Sequence, residues 1–335
     1  MRQALWRSLT RKSVLQTKPR TPKLRDLTAG GRMRSSTARA IQGLPSQSWD
    51  SHMHVVDPGR YPLALGAAYT PSPHTIPQAL AFESSVGIPN IVLVQPSIYG
   101  NDNSCLLDAL REIGPRRGRA VVTIDPEAPP GPEELREWHE LGVRGVRLNL
   151  QSVGKVLSPK ELKESLRRYA DIVRPLGWVL QLYVSMETMP ALESIVPGLG
   201  VKVCFDHFGS PDLSWDHRDG GERSFDPYSL KGFSSMVSLL REGNVYVKIS
   251  APYRLSRDPE MCHLQAITKE LIRVASNRLV FATDWPHTRF EGVDIEPFIK
   301  ACLAWCDTPE LREMLFRQNA EDLWDADAKT RAERL

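Results

Sequence analysis

From Trp49 onward the chain alternates between two hydrophobic patterns. Short runs of β-branched and other apolar residues are separated by longer stretches in which apolar positions recur every three or four residues. Runs such as Ile91–Val94 and Leu279–Ala282 lack a polar face, as expected of strands covered on both sides in a parallel sheet. The pattern predicts eight strands: Trp49–His54, Asn90–Gln95, Ala120–Asp125, Gly142–Asn149, Trp178–Val184, Val201–His207, Val245–Ser250 and Leu279–Asp284. Each is followed by a predicted helix: Pro77–Val86, Cys105–Ile113, Pro132–His139, Pro159–Val173, Met189–Val196, Leu230–Glu242, Pro259–Ala275 and Pro297–Trp305. Several of these helices begin at proline, which suits a first turn because the missing N–H has no intrahelical partner there. Eight strand–helix pairs with no internal linker predict an α/β chain closed as a (β/α)8 TIM barrel, a single domain over residues 49–335. An open doubly wound sheet is the competing arrangement. It calls for a glycine-rich first turn, and Asp50-Ser51-His52-Met53-His54 stands there instead.

Charge divides the chain at its start. Residues 1–48 hold eleven Lys/Arg against the single acid Asp26, whereas the remainder carries 32 basic and 39 acidic residues. The formal net charge of +3 therefore belongs to the extension, and nothing in the acidic body suggests a nucleic-acid-binding domain. The extension is rich in Arg, Ser and Thr, with Leu5, Trp6 and Leu9 at amphipathic spacing. It reads either as a mitochondrial transit peptide or as a disordered basic extension of a cytoplasmic protein. No apolar run approaches the length of a membrane span. Five scattered cysteines, Cys105, Cys204, Cys262, Cys302 and Cys306, form no CxxC pair and fit reduced thiols inside a cell, with Cys302 and Cys306 packing on one helix face. Segment Gly209–Pro227, with Trp215 and His217, is a long insertion after the sixth strand and reads as part of the barrel mouth.

Reactive groups of such a barrel gather at the C-terminal ends of the strands. The first strand ends in His52-Met53-His54, and alternation directs both histidines to one face. The sixth ends in Asp206-His207, the seventh in Lys248-Ile249-Ser250, and the eighth in Thr283-Asp284-Trp285-Pro286-His287. A lone histidine is more often structural, but HxH on the first strand with an aspartate on the last favours chemistry by His52, His54, His207 and Asp284. Arg147 and Arg254 at strand ends, with Ser97 and Tyr99 after the second strand, suggest a small anionic substrate, since guanidinium forks pair carboxylates bidentately. His287 either orients Asp284, contacts substrate or is structural. Arg144 is the weaker candidate because it could face a helix.

HxH with the strand-eight aspartate resembles the amidohydrolase superfamily. Gln95-Pro96-Ser97-Ile98-Tyr99-Gly100-Asn101-Asp102-Asn103, Gly142-Val143-Arg144-Gly145-Val146-Arg147, Pro252-Tyr253-Arg254 and Thr283-Asp284-Trp285-Pro286-His287 narrow the resemblance to the branch containing 2-pyrone-4,6-dicarboxylate lactonase and related lactone hydrolases. The resemblance runs from residue 49 to about 324.

It implies a hydrolase that opens a carboxylated lactone or pyrone ring, with Asp284 as general base and His52, His54 and His207 polarising the carbonyl. Ser97, Arg147, Tyr183 and Arg254 would bind substrate carboxylates, joined by Tyr69 from the loop after the first strand. Many superfamily members hold zinc through HxH, a strand-five histidine and the aspartate, and some add a carboxylated lysine on strand four. Here strand five reads Val179-Leu180-Gln181-Leu182-Tyr183 and strand four has no lysine, so no cofactor is expected. The alternative is zinc held by His52, His54, His207 and Asp284 in a decarboxylase or hydrolase, and a further one is an inactive barrel used for binding. Phe208-Gly209-Ser210-Pro211 offers no arginine after His207, which leaves room for a substrate with fewer carboxylates than a dicarboxylate. The sequence sets no oligomeric state.

Overall fold

Eight strands form where the apolar runs place them. In a computed structural model, which describes residues 41–152, 154, 156–213 and 225–325, they are β1 Trp49–Met53, β2 Asn90–Val94, β3 Gly118–Val122, β4 Val143–Asn149, β5 Val179–Tyr183, β6 Val203–Phe205, β7 Val245–Ile249 and β8 Leu279–Phe281. They pair in chain order, each parallel to the next. The ring closes between β8 and β1, where the Asp284 N–H donates to the His52 carbonyl (2.9 Å) and the His54 N–H to that of Trp285 (2.7 Å). The chain is the (β/α)8 barrel that its pattern predicts.

The intervening helices are Ile76–Val86, Ser104–Ile113, Pro132–Leu141, Pro159–Val173, Met189–Glu193, Phe233–Arg241, Cys262–Ala275 and Glu296–Trp305. Pro159–Val173 shows why one starts where it does: Ser158 and Glu161 form a reciprocal capping box around Pro159. β6 and β8 stop earlier than expected because the backbone turns left-handed just beyond them, at His207 (φ 50°) and Asp284 (φ 64°). The reactive side chains therefore sit on turns past the ladder rather than in it.

Period-two alternation sorts the strand residues into two layers. Ile91, Leu93, Ala120 and Val122 face the helices, while Val92, Val94, Val121, Val179 and Val280 face inward with Trp49 and Tyr246. The bottom of the barrel is filled from the C-terminal end, which the sequence pattern did not predict as helical. Short helices Pro309–Glu313 and Asn319–Leu323 bring Ala320, Leu323 and Trp324 under the inner layer, and the Trp324 indole donates to Ser51 Oγ (3.2 Å). With the bottom filled, the C-terminal end of the strands is left to form a site.

The extension was placed at residues 1–48, yet residues 41–48 belong with the barrel. Ile41 is part of the core, and the Asn90 amide donates to the carbonyls of Gln47 (2.9 Å) and Ser48 (3.2 Å). Residues 1–40, and Trp215 and His217 of the insertion, lie outside the described residues. Cys302 and Cys306 are both buried in the core, in line with a packing role. Among the described residues no helix is long and apolar enough to cross a membrane.

Candidate active site

Asp284 is the point on which the strand ends converge. Its Oδ1 lies 3.6 Å from His52 Nε2, 3.6 Å from His54 Nε2 and 3.9 Å from His207 Nε2. Its Oδ2 accepts from Arg254 Nε (2.7 Å) and from the Tyr253 hydroxyl (2.7 Å). One oxygen is thus held from beyond β7 and the other faces three imidazoles. Burial pushes this carboxyl up, but Arg254 and then the histidines outweigh it and hold it well below the usual range.

The other ring nitrogen of each imidazole has a partner. His54 Nδ1 is 2.7 Å from the Val94 carbonyl, which can only accept, so that nitrogen carries the proton and a neutral His54 presents a bare Nε2. His207 Nδ1 meets Ser250 Oγ at 2.8 Å, and burial pushes this histidine down to about 4, so it is neutral at pH 7. His52 is held well below its ordinary value by burial and by Lys248, against the pull of Asp206.

Beneath the histidines lies a buried charge network centred on Asp206. Its Oδ2 accepts from Arg147 Nε (3.2 Å) and a terminal Arg147 nitrogen (3.1 Å), and the Gln181 amide donates to both oxygens (2.8 and 3.0 Å). His52 Nδ1 and Lys248 Nζ approach Oδ1 at 3.2 and 3.4 Å. Burial raises the Asp206 carboxyl, and His52, Lys248 and Arg147 together more than reverse it. Lys248 also donates to Gln181 Oε1 (2.7 Å) and sits 3.3 Å from His52 Nδ1.

Above lies a small pocket, partly open to solvent. His54, His207, Asp284, Tyr69, Ser97, Arg147, Tyr183 and Arg254 all line it, as expected. Three expected residues do not. His52 is fully buried and does not line the pocket, because its Nε2 is turned to His54 and Asp284. The Tyr99 hydroxyl accepts from the Asp57 N–H (2.9 Å), which ties it to the loop after β1. His287 packs its ring against Tyr253 and Phe82, away from the cavity, and its buried Nε2 has no hydrogen-bond partner among the described residues. Arg147 and Arg254 were expected to await substrate, but each already holds an internal carboxylate. Arg144 turns to the other end of β4, toward the His139 carbonyl and Asp325.

Sequence reasoning missed Asn149, Ser152, Thr288 and Arg289, which line the pocket, and Tyr253, which holds Asp284. Arg289 lies over the Tyr69 ring at 5.3 Å, and among the described residues no carboxylate pairs with it. Its only signal was its place five residues beyond Asp284.

The donor spacing is compatible with a metal. His52, His54 and Asp284 form the donor group: the two Nε2 atoms are 3.3 Å apart and Asp284 Oδ1 is 3.6 Å from each, somewhat wider than the edge of about 3.3 Å that 2 Å bonds to a tetrahedral zinc require, and His207 at 3.9 Å stands outside that group. The Val94 carbonyl at His54 Nδ1 and the Asp206 carboxylate near His52 Nδ1 are partners of the kind that orient metal-binding imidazoles, whereas Lys248 beside His52 Nδ1 is not.

The family model for amidohydrolases matches residues 49–326. The chain is 28% identical over 300 residues to a 2-pyrone-4,6-dicarboxylate hydrolase of Comamonas testosteroni, covering 84% of this chain and 91% of that one. It is 28% identical over 295 residues to a 4-sulfomuconolactone hydrolase of Hydrogenophaga intermedia, covering 85% and 91%. Its barrel superposes with a TM-score of 0.70 and 23% identity on a probable 2-pyrone-4,6-dicarboxylic acid hydrolase of Acinetobacter baumannii solved with citric acid bound, covering 83% of this chain and 99% of that one. With the family model spanning nearly the whole barrel, the chain belongs to the amidohydrolase family.

Proposed function

We propose that this amidohydrolase opens the ring of an acid-bearing cyclic ester, a lactone or pyrone, with Asp284 taking a proton from the attacking water. The observation that carries the reading is Asp284 lining a pocket together with His207 and three arginines, Arg147, Arg254 and Arg289. Two relatives named for hydrolysis of a pyrone dicarboxylate and a sulfomuconolactone, both acid-bearing cyclic esters, support it.

The water oxygen attacks the ring carbonyl carbon as its proton passes to Asp284. Negative charge on the carbonyl oxygen is met by His207 Nε2–H and by Arg254 N–H groups not used on Asp284. The ring C–O bond then breaks, and the leaving oxygen departs as an enolate or alkoxide that takes up the proton. An enolate is a good leaving group, so this step needs less electrophilic help than amide hydrolysis. His54, with a bare Nε2 when neutral, acts as an acceptor rather than as the carbonyl donor expected of it. Arg147 at the end of β4 and Arg289 beyond β8 lie across the ring of strands from each other, which suits acid groups at both ends of the substrate.

We read the reaction as metal-independent. Gln181 occupies β5 and is committed to Asp206 and Lys248, and two cations, Lys248 and Arg254, already contact the same donor groups. Zinc bound by His52, His54, His207 and Asp284 would supply Lewis-acid polarisation of the carbonyl. The test is a screen of carboxylated pyrones and carboxylated or sulfonated lactones, followed by ring absorbance, before and after chelation. Ring opening by chelated protein is expected. No opening of any acid-bearing lactone overturns the hydrolase reading, and activity that appears only with added zinc overturns metal independence.

A further inference from the structure

We propose that Lys248, buried below the pocket, is a positioning residue that fixes which nitrogen of His52 carries the proton. The argument starts from His54, whose Nδ1 proton is committed to the Val94 carbonyl at 2.7 Å. In the neutral ring Nε2 is then bare, and it lies 3.3 Å from His52 Nε2. Two bare imidazole nitrogens at that distance would point their lone pairs at each other. A hydrogen bond forms there only if His52 carries its proton on Nε2. His52 Nδ1 is in turn bare and needs a donor. Asp206 Oδ1, 3.2 Å away, is a carboxylate and cannot serve. Lys248 Nζ, 3.3 Å away in hydrogen-bonding position, can.

The result is a one-way chain: Lys248 to His52 Nδ1, His52 Nε2–H to His54 Nε2, His54 Nδ1–H to the Val94 carbonyl. Lys248 is fully buried and is itself placed by Gln181 Oε1 (2.7 Å), by Asp206 Oδ1 (3.4 Å) and by the Trp324 ring 5.3 Å away. A site holding zinc needs the opposite arrangement, with His52 Nδ1–H turned to Asp206 and both Nε2 atoms bare. Lys248 therefore selects the hydrogen-bonded form of the histidine pair over the metal-binding one. The inference rests on the proposed function only for its catalytic consequence, since the position of the proton is measured without turnover.

The experiment is long-range ¹⁵N–¹H NMR of histidine-labelled full-length protein after chelation, with His52 assigned by loss of its signals in His52→Asn. Wild type is expected to show His52 protonated on Nε2 and bare on Nδ1. Lys248→Met should move the proton to Nδ1, and zinc affinity by calorimetry should rise at least tenfold. Lys248→Gln, which retains a donor of shorter reach, should fall between the two and guards against a Met variant that does not fold. A wild-type His52 protonated on Nδ1, or on both nitrogens, overturns the proposal. So does a folded Lys248 variant with an unchanged His52 pattern. If the NMR result holds but no lactone is turned over, the proposed function fails and this inference stands.

Discussion

Replacing Arg254 by methionine tests how the site uses its cations. Arg254 Nε lies 2.7 Å from Asp284 Oδ2, with the side chains 14% and 1% exposed. At an effective dielectric of 20, unit charges about 4 Å apart attract by about 4 kcal/mol. Removing one partner of a buried pair costs about 3–5 kcal/mol because the other charge is left uncompensated. Here the Tyr253 hydroxyl remains on the same oxygen and Arg254 borders the pocket, so the lower end, about 3 kcal/mol, is expected at pH 8. The sign of the pH dependence follows from Asp284, whose folded-state value is held well below 3.8. The stability it contributes is complete above the ordinary carboxylate range and is lost only as pH falls through that depressed value. In Arg254→Met burial acts on Asp284 without its main opponent, its proton affinity rises, and protonation relieves the cost. The deficit against wild type should therefore shrink as pH falls from 8 to 5, and the acid limb of kcat/KM should move to higher pH. Urea titrations at several pH values and a pH–rate profile measure both. A deficit below about 1 kcal/mol, the ceiling of an exposed pair, or one that does not change with pH, would refute the reasoning.

Asp284→Asn should leave fold and substrate binding in place and abolish turnover, and more than about a tenth of wild-type kcat would remove Asp284 from the role of base. Arg147→Met should raise KM far more than it lowers kcat, because Lys248, Gln181 and His52 still surround Asp206. An unchanged KM with reduced kcat would mean that Arg147 acts on the transition state. Glu83 is fully buried against Asp50, and burial, then Asp50, hold its carboxyl well above 4.5. A raised folded-state value means stability is lost as pH rises from 4.5 toward that value, by up to about 1.4 kcal/mol per pH unit. Glu83→Gln should therefore gain on wild type between pH 5 and pH 8 in urea titrations, and parallel curves would show that Glu83 does not titrate there. Removing residues 1–40 should leave activity and Tm unchanged, because their sequence lacks the apolar pattern needed to join the core, and a Tm several degrees lower would show that the extension packs on it.

The barrel was legible because its signal is local. Consecutive apolar residues mark a doubly covered strand, and prolines mark helix starts, without knowledge of any partner. The bottom closure was not, since Pro309–Glu313 and Asn319–Leu323 are too short to show a helical period. For the site, strand ends pointed to His54, His207 and Asp284, which line the pocket, whereas direction and partnership stayed hidden. His52 and His54 share a face, yet only His54 reaches the pocket, because Asp284 and His54 lie against His52. Arg147 looked unpaired because Asp206 is 59 residues away in sequence. Tyr99 and His287 stand beside reactive positions in the chain, but turns after β2 and β8 point them elsewhere.

The charges of the assembled site tie its chemistry to its substrate. Three cations, Arg147, Lys248 and Arg254, surround two carboxylates, Asp206 and Asp284, and leave one positive charge in a buried environment. Arg289 adds a second at the mouth. His52 and His207 add none, since burial keeps them neutral at pH 7. A ligand with two acid groups neutralises this excess, and a neutral lactone leaves it standing. A divalent metal would double it before substrate arrived, and buried charge without compensation is costly. The room that the sequence leaves for fewer carboxylates rests on the missing arginine after His207. Arg289 reaches the same pocket from the loop after β8 and restores the count by another route. The excess therefore favours a doubly acidic lactone over both a neutral one and a resident zinc ion, so these two proposals stand or fall on the same arrangement of charge.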